Sequence, residues 1–104
     1  MNTGQPLTSL SAATTGTGTA YACNDASSIA WDIVWNGAVS AGEVTIEFSP
    51  DGSNWGPLAV HTWVTPAVVE HGQYPAPLMF VRPRITTNVV GGTVTVTFQK
   101  EFSH

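Results

Sequence analysis

From Ser28 onward apolar and polar residues alternate in short runs, the period-two pattern of strands with one face on a core and one in water. The clearest run covers residues 43–49, where Val44, Ile46 and Phe48 point one way and Glu43, Thr45, Glu47 and Ser49 the other. Pro50, Asp51 and Gly52 follow it. They supply a fixed φ, a turn-capping side chain and a residue that tolerates φ > 0, so the chain reverses there. Upstream, Ile29, Trp31, Ile33 and Trp35 alternate with Ala30, Asp32, Val34 and Asn36, and Gly37 closes the run. Residues 57–64 oppose Leu58, Val60, Thr62 and Val64 to Ala59, His61 and Trp63.

Pro66 then interrupts, and 67–71 reads as a short strand ended by Gly72. The run QYPAP at 73–77 holds two prolines, which remove ladder donors and leave only extended loop or edge. In 78–85, Met79, Val81 and Ile85 oppose Phe80, Arg82 and Arg84, and Pro83 marks an edge position or a bulge. Gly91 and Gly92 turn the chain into 93–102, where Val94, Val96 and Phe98 alternate with Thr93, Thr95, Thr97 and Gln99. No apolar i, i+3, i+4 pattern persists over three turns. The pattern predicts an all-β fold: a single antiparallel β-sandwich, Ig-like or jelly-roll-like, of about seven or eight short strands over 19–104.

Residues 1–24 carry no charge and are rich in Thr, Ser, Ala and Gly, with TTGTGT at 14–19 as a joint. Leu7 and Leu10 are the side chains available to anchor the stretch before it. Such a segment is an edge strand or an arm that orders on a neighbour. The arm, residues 1–18, is the expectation, with Leu7 and Leu10 as its contact residues.

The chain has 104 residues, enough for one domain with one core. Only 10% of residues are charged, and the formal charge is −4. Arg82, Arg84 and Lys100 are too few to bind nucleic acid or hold an anionic membrane. A surface so poor in charge draws its polarity from Thr, Ser, Asn and Gly, and is either of extracellular type or covered by a partner. Cys23, the only cysteine, rules out an intrachain disulfide and reads as a buried inert thiol. The start MNTGQPLTSL lacks a basic region and an apolar core, so no signal peptide is expected there, and assembly in a reducing cytoplasm is.

No catalytic constellation emerges. His61, His71 and His104 show no metal-ligand spacing, and no G-x-S-x-G elbow occurs. Glu43 and Glu47 share a strand face, yet the ~3.3 Å rise per residue puts them roughly 13 Å apart, too far for a carboxylate pair in glycoside hydrolysis. They fit a cross-strand role, pairing with Arg82 and Arg84 if strand 78–85 lies alongside. Asp51 to Asn54 reads as a turn and lacks the ligand run of a calcium loop. The string SPDGSNW at 49–55 also resembles, one residue short, the hairpin box of sialidases, a folding motif without activity. Trp31 and Trp35 share a face with Ile29 and Ile33 and read as core. Trp55 and Trp63 are left as interface aromatics, Trp63 the more exposed because it opposes Leu58 and Val60.

Three pieces together, 42–55 (GEVTIEFSPDGSNW), 80–85 (FVRPRI) and 91–96 (GGTVTV), after an uncharged Thr/Gly-rich start, resemble small tailed-phage virion proteins. The resemblance implies a β-sandwich without enzymatic activity or cofactor that decorates capsids or contributes to necks, tails or fibres. Its partner would be the major capsid protein or another virion protein, and it would associate with its own copies, as a trimer. Leu7, Leu10, Trp55, Trp63, Phe80, Arg82 and Arg84 are the expected interface residues. A carbohydrate-binding module of a tail or fibre and a neck or tail connector are the competing readings.

Overall fold

The computed structural model describes residues 2–3, 6–23, 26–65, 68–75 and 79–102. It is all-β, one antiparallel sheet of eight strands: β1 (Asn2–Thr3), β2 (Leu7–Ala13), β3 (Gly16–Thr17), β4 (Tyr21–Ala22), β5 (Ser28–Ser49), β6 (Gly56–Thr62), β7 (Val69–Tyr74) and β8 (Phe80–Phe102). His104, the strand start at Ala67, the start at Leu78 and the end of the 73–77 run lie outside the described residues.

β5 and β8 pair with each other along almost their whole length, from Ser28 against Glu101 to Ser49 against Phe80. Each fuses two of the expected short strands. The turn signals at Asn36–Gly37 and Gly91–Gly92 face one another across this ladder, Gly37 paired with Gly92, and bend both strands together instead of reversing either. Gly37 and Gly91 take φ of 88° and 86°, and a Cβ on Gly91 would run into the Ala38 carbonyl. Only glycine fits there. Register shifts between Gly37 and Val44 complete the bend.

The bend lays one half of the sheet over the other. In the first half β7 flanks the front of β5, and β1 and β2 flank the end of β8. In the second, β6 flanks the back of β5, and β3 and β4 flank the start of β8. The smallest extent, 18 Å, suits two layers about 10 Å apart. Ile29, Trp31, Ile33, Trp35, Val94, Val96 and Phe98 line the first inner face and Val44, Ile46, Val81 and Ile85 the second, all buried. Each fully buried Ile, Val or Phe contributes ~1.5–3 kcal/mol. Tyr21 stacks on Phe98 with ring centroids 6.0 Å apart, tying β4 to the opposite layer.

Pro83 sits near the start of β8, fully buried between β5 and the β3–β4 flank, rather than at an edge or bulge. Its carbonyl accepts from Gly18, so its missing N–H faces the gap between β3 and β4, where residues 18–20 leave the ladder. The proline explains why that flank of β8 comes in pieces.

Of the two readings of the uncharged start, its described part is an edge strand. β2 and β3 pair with β8 of the same chain, and Leu10 is buried in the core. The expected arm is therefore no free extension over 7–17. A Thr- and Gly-rich strand needs no charge when half its backbone is satisfied by a neighbour.

The two layers are fastened at the β6–β7 side by a polar network. Trp31 donates its indole N–H to Nε2 of His61 at 2.9 Å, which leaves the ring proton on Nδ1, 3.4 Å from Oε1 of Glu70. The Trp35 indole donates to Oε2 of the same carboxylate at 2.6 Å. Trp31 reaches His61 by lying across Gly72, where a Cβ would collide with its indole. Replacing Gly72 with Ala is therefore expected to displace the indole and lower stability by about 1–3 kcal/mol, the usual cost of overpacking. Urea unfolding followed by tryptophan fluorescence checks this; unchanged stability would mean that the ring has room to move.

Candidate interaction surface

The outer face of the β6–β5–β8 layer brings four of the expected interface residues together. The register sets Glu47 opposite Arg82, with Thr45 opposite Arg84 and Ser49 opposite Phe80. Glu47 is 6% exposed although it faces outward, because its neighbours close over it. Arg82 donates through Nε to Oε1 of Glu47 at 2.9 Å, and Arg84 through Nη1 to Oε2 at 3.4 Å. Both arginines thus share one carboxylate. Glu43 was expected to take the second arginine, but the register shift between Glu43 and Val44 carries it to Thr86 and Thr62, whose hydroxyls donate to it at 2.6 and 3.1 Å.

Trp55 closes the cluster. The Arg82 guanidinium lies 4.1 Å from its ring centroid, a cation–π contact that holds the arginine flat against the sheet. Trp55 is brought there by the turn after β5. The Ser49 hydroxyl accepts from the backbone of Gly52 at 2.8 Å and donates to Asp51 at 2.9 Å. Asp51 in turn accepts from the backbone N–H of Ser53 and Asn54, each at 2.8 Å. These donors, Asn54 first, hold the Asp51 carboxyl well below the usual carboxylate range. Phe80 packs beside the same turn, half-buried. The result is a preorganised patch with two aromatic side chains, two guanidinium groups and one shared carboxylate.

The remaining expected interface residues lie elsewhere. Leu10 belongs to the core and Leu7 packs against it. Trp63 is half-buried against the core, and Val60 is 55% exposed. Over 59–63 the alternation separates two faces but assigns the wrong one to solvent: His61 and Trp63 face inward and the apolar Val60 is left outside, while Leu58, expected beside Val60, sits at a bulge and packs against the core as Ala59 does.

The network of Trp31, His61 and Glu70 was not legible in the sequence, because its members lie far apart along the chain. Its role in the fold is to fasten the layers: Nε2 of His61 accepts from the Trp31 indole and Nδ1 faces Glu70. His71 binds Asp32 at 2.6 Å, but the pair stands in water on the outer face of the other layer. Among the described residues no three His, Cys, Asp or Glu side chains gather as a metal site requires.

Truncating Arg82 to Ala should cost about 2 kcal/mol, because it leaves a buried carboxylate with one long contact, whereas Arg82→Ala combined with Glu47→Gln should recover most of the loss. Chemical denaturation of Arg82→Ala, Glu47→Gln and the double variant measures this coupling. For Asp51 the sign follows from its depressed pKa: the turn network contributes stability above the ordinary range near 4 and loses it only as the pH falls through the lowered value. Asp51→Ala should therefore lower the melting temperature by a few degrees at pH 7 and at pH 4 alike. A difference confined to pH 7 would contradict the assignment.

No protein-family model matches this sequence, and no curated protein does. Among solved structures the chain is similar to the SPBc2 prophage-derived protein YomS, with a TM-score of 0.73 and 16% identity over 95% of this chain and 92% of that one. It also aligns, with a TM-score of 0.43 and 20% identity over 98% of this chain and 87% of the other, to a structure of Bacillus endospore appendages described as disulfide-linked pili. The likeness to YomS runs through nearly the whole of both chains, and what the two share is the fold.

Proposed function

We propose that this chain is a non-enzymatic structural protein of a virion, a head decoration protein that binds the coat lattice and associates with its own copies. The observation that carries the reading is the shared fold, over nearly full length, with a protein whose name marks it as prophage-derived. The patch of Trp55, Phe80, Arg82 and Arg84 supports it. An aromatic ring and arginines fixed on a rigid sheet are the residue types that anchor protein interfaces, and preorganisation lowers the cost of docking.

A sugar-binding role is less well supported. Trp31 and Trp35 are core residues, Trp63 packs on the core and Trp55 lies under Arg82, so all four rings are engaged. Stacking a sugar needs an open ring face.

Quantitative mass spectrometry of gradient-purified particles tests the proposal. Head decoration predicts copies in the hundreds per particle, and Arg82→Ala together with Trp55→Ala should reduce that occupancy at least severalfold. Six or twelve copies would make the chain a connector instead, and absence from particles would overturn the virion reading.

A further inference from the structure

The sheet has free edges, and they differ in how they are guarded. β7 pairs with β5 alone among the described residues, and carries Glu70 and His71. The opposite edge is broken into β1 to β4, with register shifts along β2 and Ala12 at φ 48°. Charges, bulges and interruptions of this kind keep a strand from pairing with another molecule. β6 has little of that protection. Among the described residues it too pairs only with β5, and its sequence GPLAVHT holds no Asp, Glu, Lys or Arg. Pro57 removes one donor near its start and Leu58 is bulged, since Ile46 pairs with Ala59 and Glu47 with Pro57, but Ala59 through Thr62 follow without a guard. Its histidine is turned inward to Trp31 and Glu70.

Exposed apolar side chains stand on and just after this strand: Val60 and Val64 are 55% and 65% exposed, while Val68, Val69, Met79 and Val90 are the other exposed large apolar residues among those described. A solvated edge flanked by bare valines is left unfinished by the monomer.

We infer that β6 pairs with β6 of a second copy of this chain, antiparallel across a two-fold axis at Val60. The charge distribution selects that occupant. Each chain carries −4, so two copies repel over most contacts, but a contact centred on β6 brings no like charges together. The nearest carboxylate, Glu43, is tied to the Thr62 and Thr86 hydroxyls of its own chain. A partner of strongly acidic or basic character finds no counter-charge on this strand. An axis at Val60 sets that valine against its own copy and Leu58 against Thr62 of the other chain, apolar contacts that are the same from both sides. The β6–β5–β8 layers of the two molecules then form one continuous antiparallel sheet. At ~3.3 Å per residue the five residues that pair about this axis, Leu58 to Thr62, span about 16 Å, and Val64 just beyond them widens the contact. The symmetry is two-fold, in place of the trimer expected from the sequence, and it concerns the isolated chain whether or not the chain belongs to a particle.

Sedimentation equilibrium of the full chain and three variants tests this. The unmodified chain should sediment as a dimer, and Val60→Lys should raise its dissociation constant about tenfold or more with an unchanged circular dichroism spectrum. Val60→Cys should form a disulfide-linked dimer under mild oxidation, because facing Cβ atoms on neighbouring strands lie about 4.5–5.5 Å apart. Thr8→Cys, on the broken edge, should not, and the native Cys23 is buried. The Cys variants keep the test decisive if the lysine disturbs the fold. A monomer at every concentration, a trimer, a dimer indifferent to Val60→Lys, or equal cross-linking at positions 8 and 60 would each overturn the proposal.

Discussion

Every other strand of this protein depends on the β5–β8 ladder. β6 and β7 pair only with β5, and β1 to β4 only with β8, among the described residues. The ladder has to bend to create an inside, and it bends where two glycine signals meet across it. With Cβ atoms at Gly91 and Gly37, the ribbon would lose the backbone conformations that fold it, and the two apolar faces would remain separate surfaces in water. The hydrophobic core is a consequence of that crossing.

The polar groups that could weaken such a thin sandwich are used to fasten it. The Trp31, His61, Glu70 and Trp35 set joins the two layers on one side, and the Tyr21–Phe98 stack joins them on the other. Glu47 is buried on the outside of the sheet, under two arginines and a tryptophan, so even the solvent side of this layer has a packed polar cluster. Among the described residues no buried side-chain polar atom lacks a hydrogen-bond partner. That completeness is what lets a domain with few charges present rigid surfaces.

Much of the fold is legible in the sequence, for a simple reason. Period-two alternation is a local property, and Ile29 to Trp35, Val44 and Ile46, and Val94 to Phe98 declare their buried face within a few residues. The pairing of Glu47 with Arg82 is also readable, because outward opposite charges on two strands have few other places to go. Three things were hidden. Whether Asn36–Gly37 reverses a strand or bends it depends on the glycines opposite, more than fifty residues away. Alternation in β6 separates Val60 from Trp63 without saying which of them faces in; that is decided by Trp31 reaching across Gly72 for His61. The uncharged start gives no register of its own, and only β8 supplies one.

That dependence has a consequence in time. The ribosome makes β8 after every other strand, so β1 to β4 leave the exit tunnel with no partner yet in existence. β5, β6 and β7 can meet early, since each finds its neighbour among residues already made, but half of the core waits for Val81 through Phe98. Closing so long a loop is entropically slow. Until β8 is available the chain can build no more than the β5, β6 and β7 set, with one apolar side uncovered and the first strands unpaired. A leader built from Thr, Ser, Ala and Gly has little to bury in that interval and can wait without collapsing, which gives its blandness a purpose.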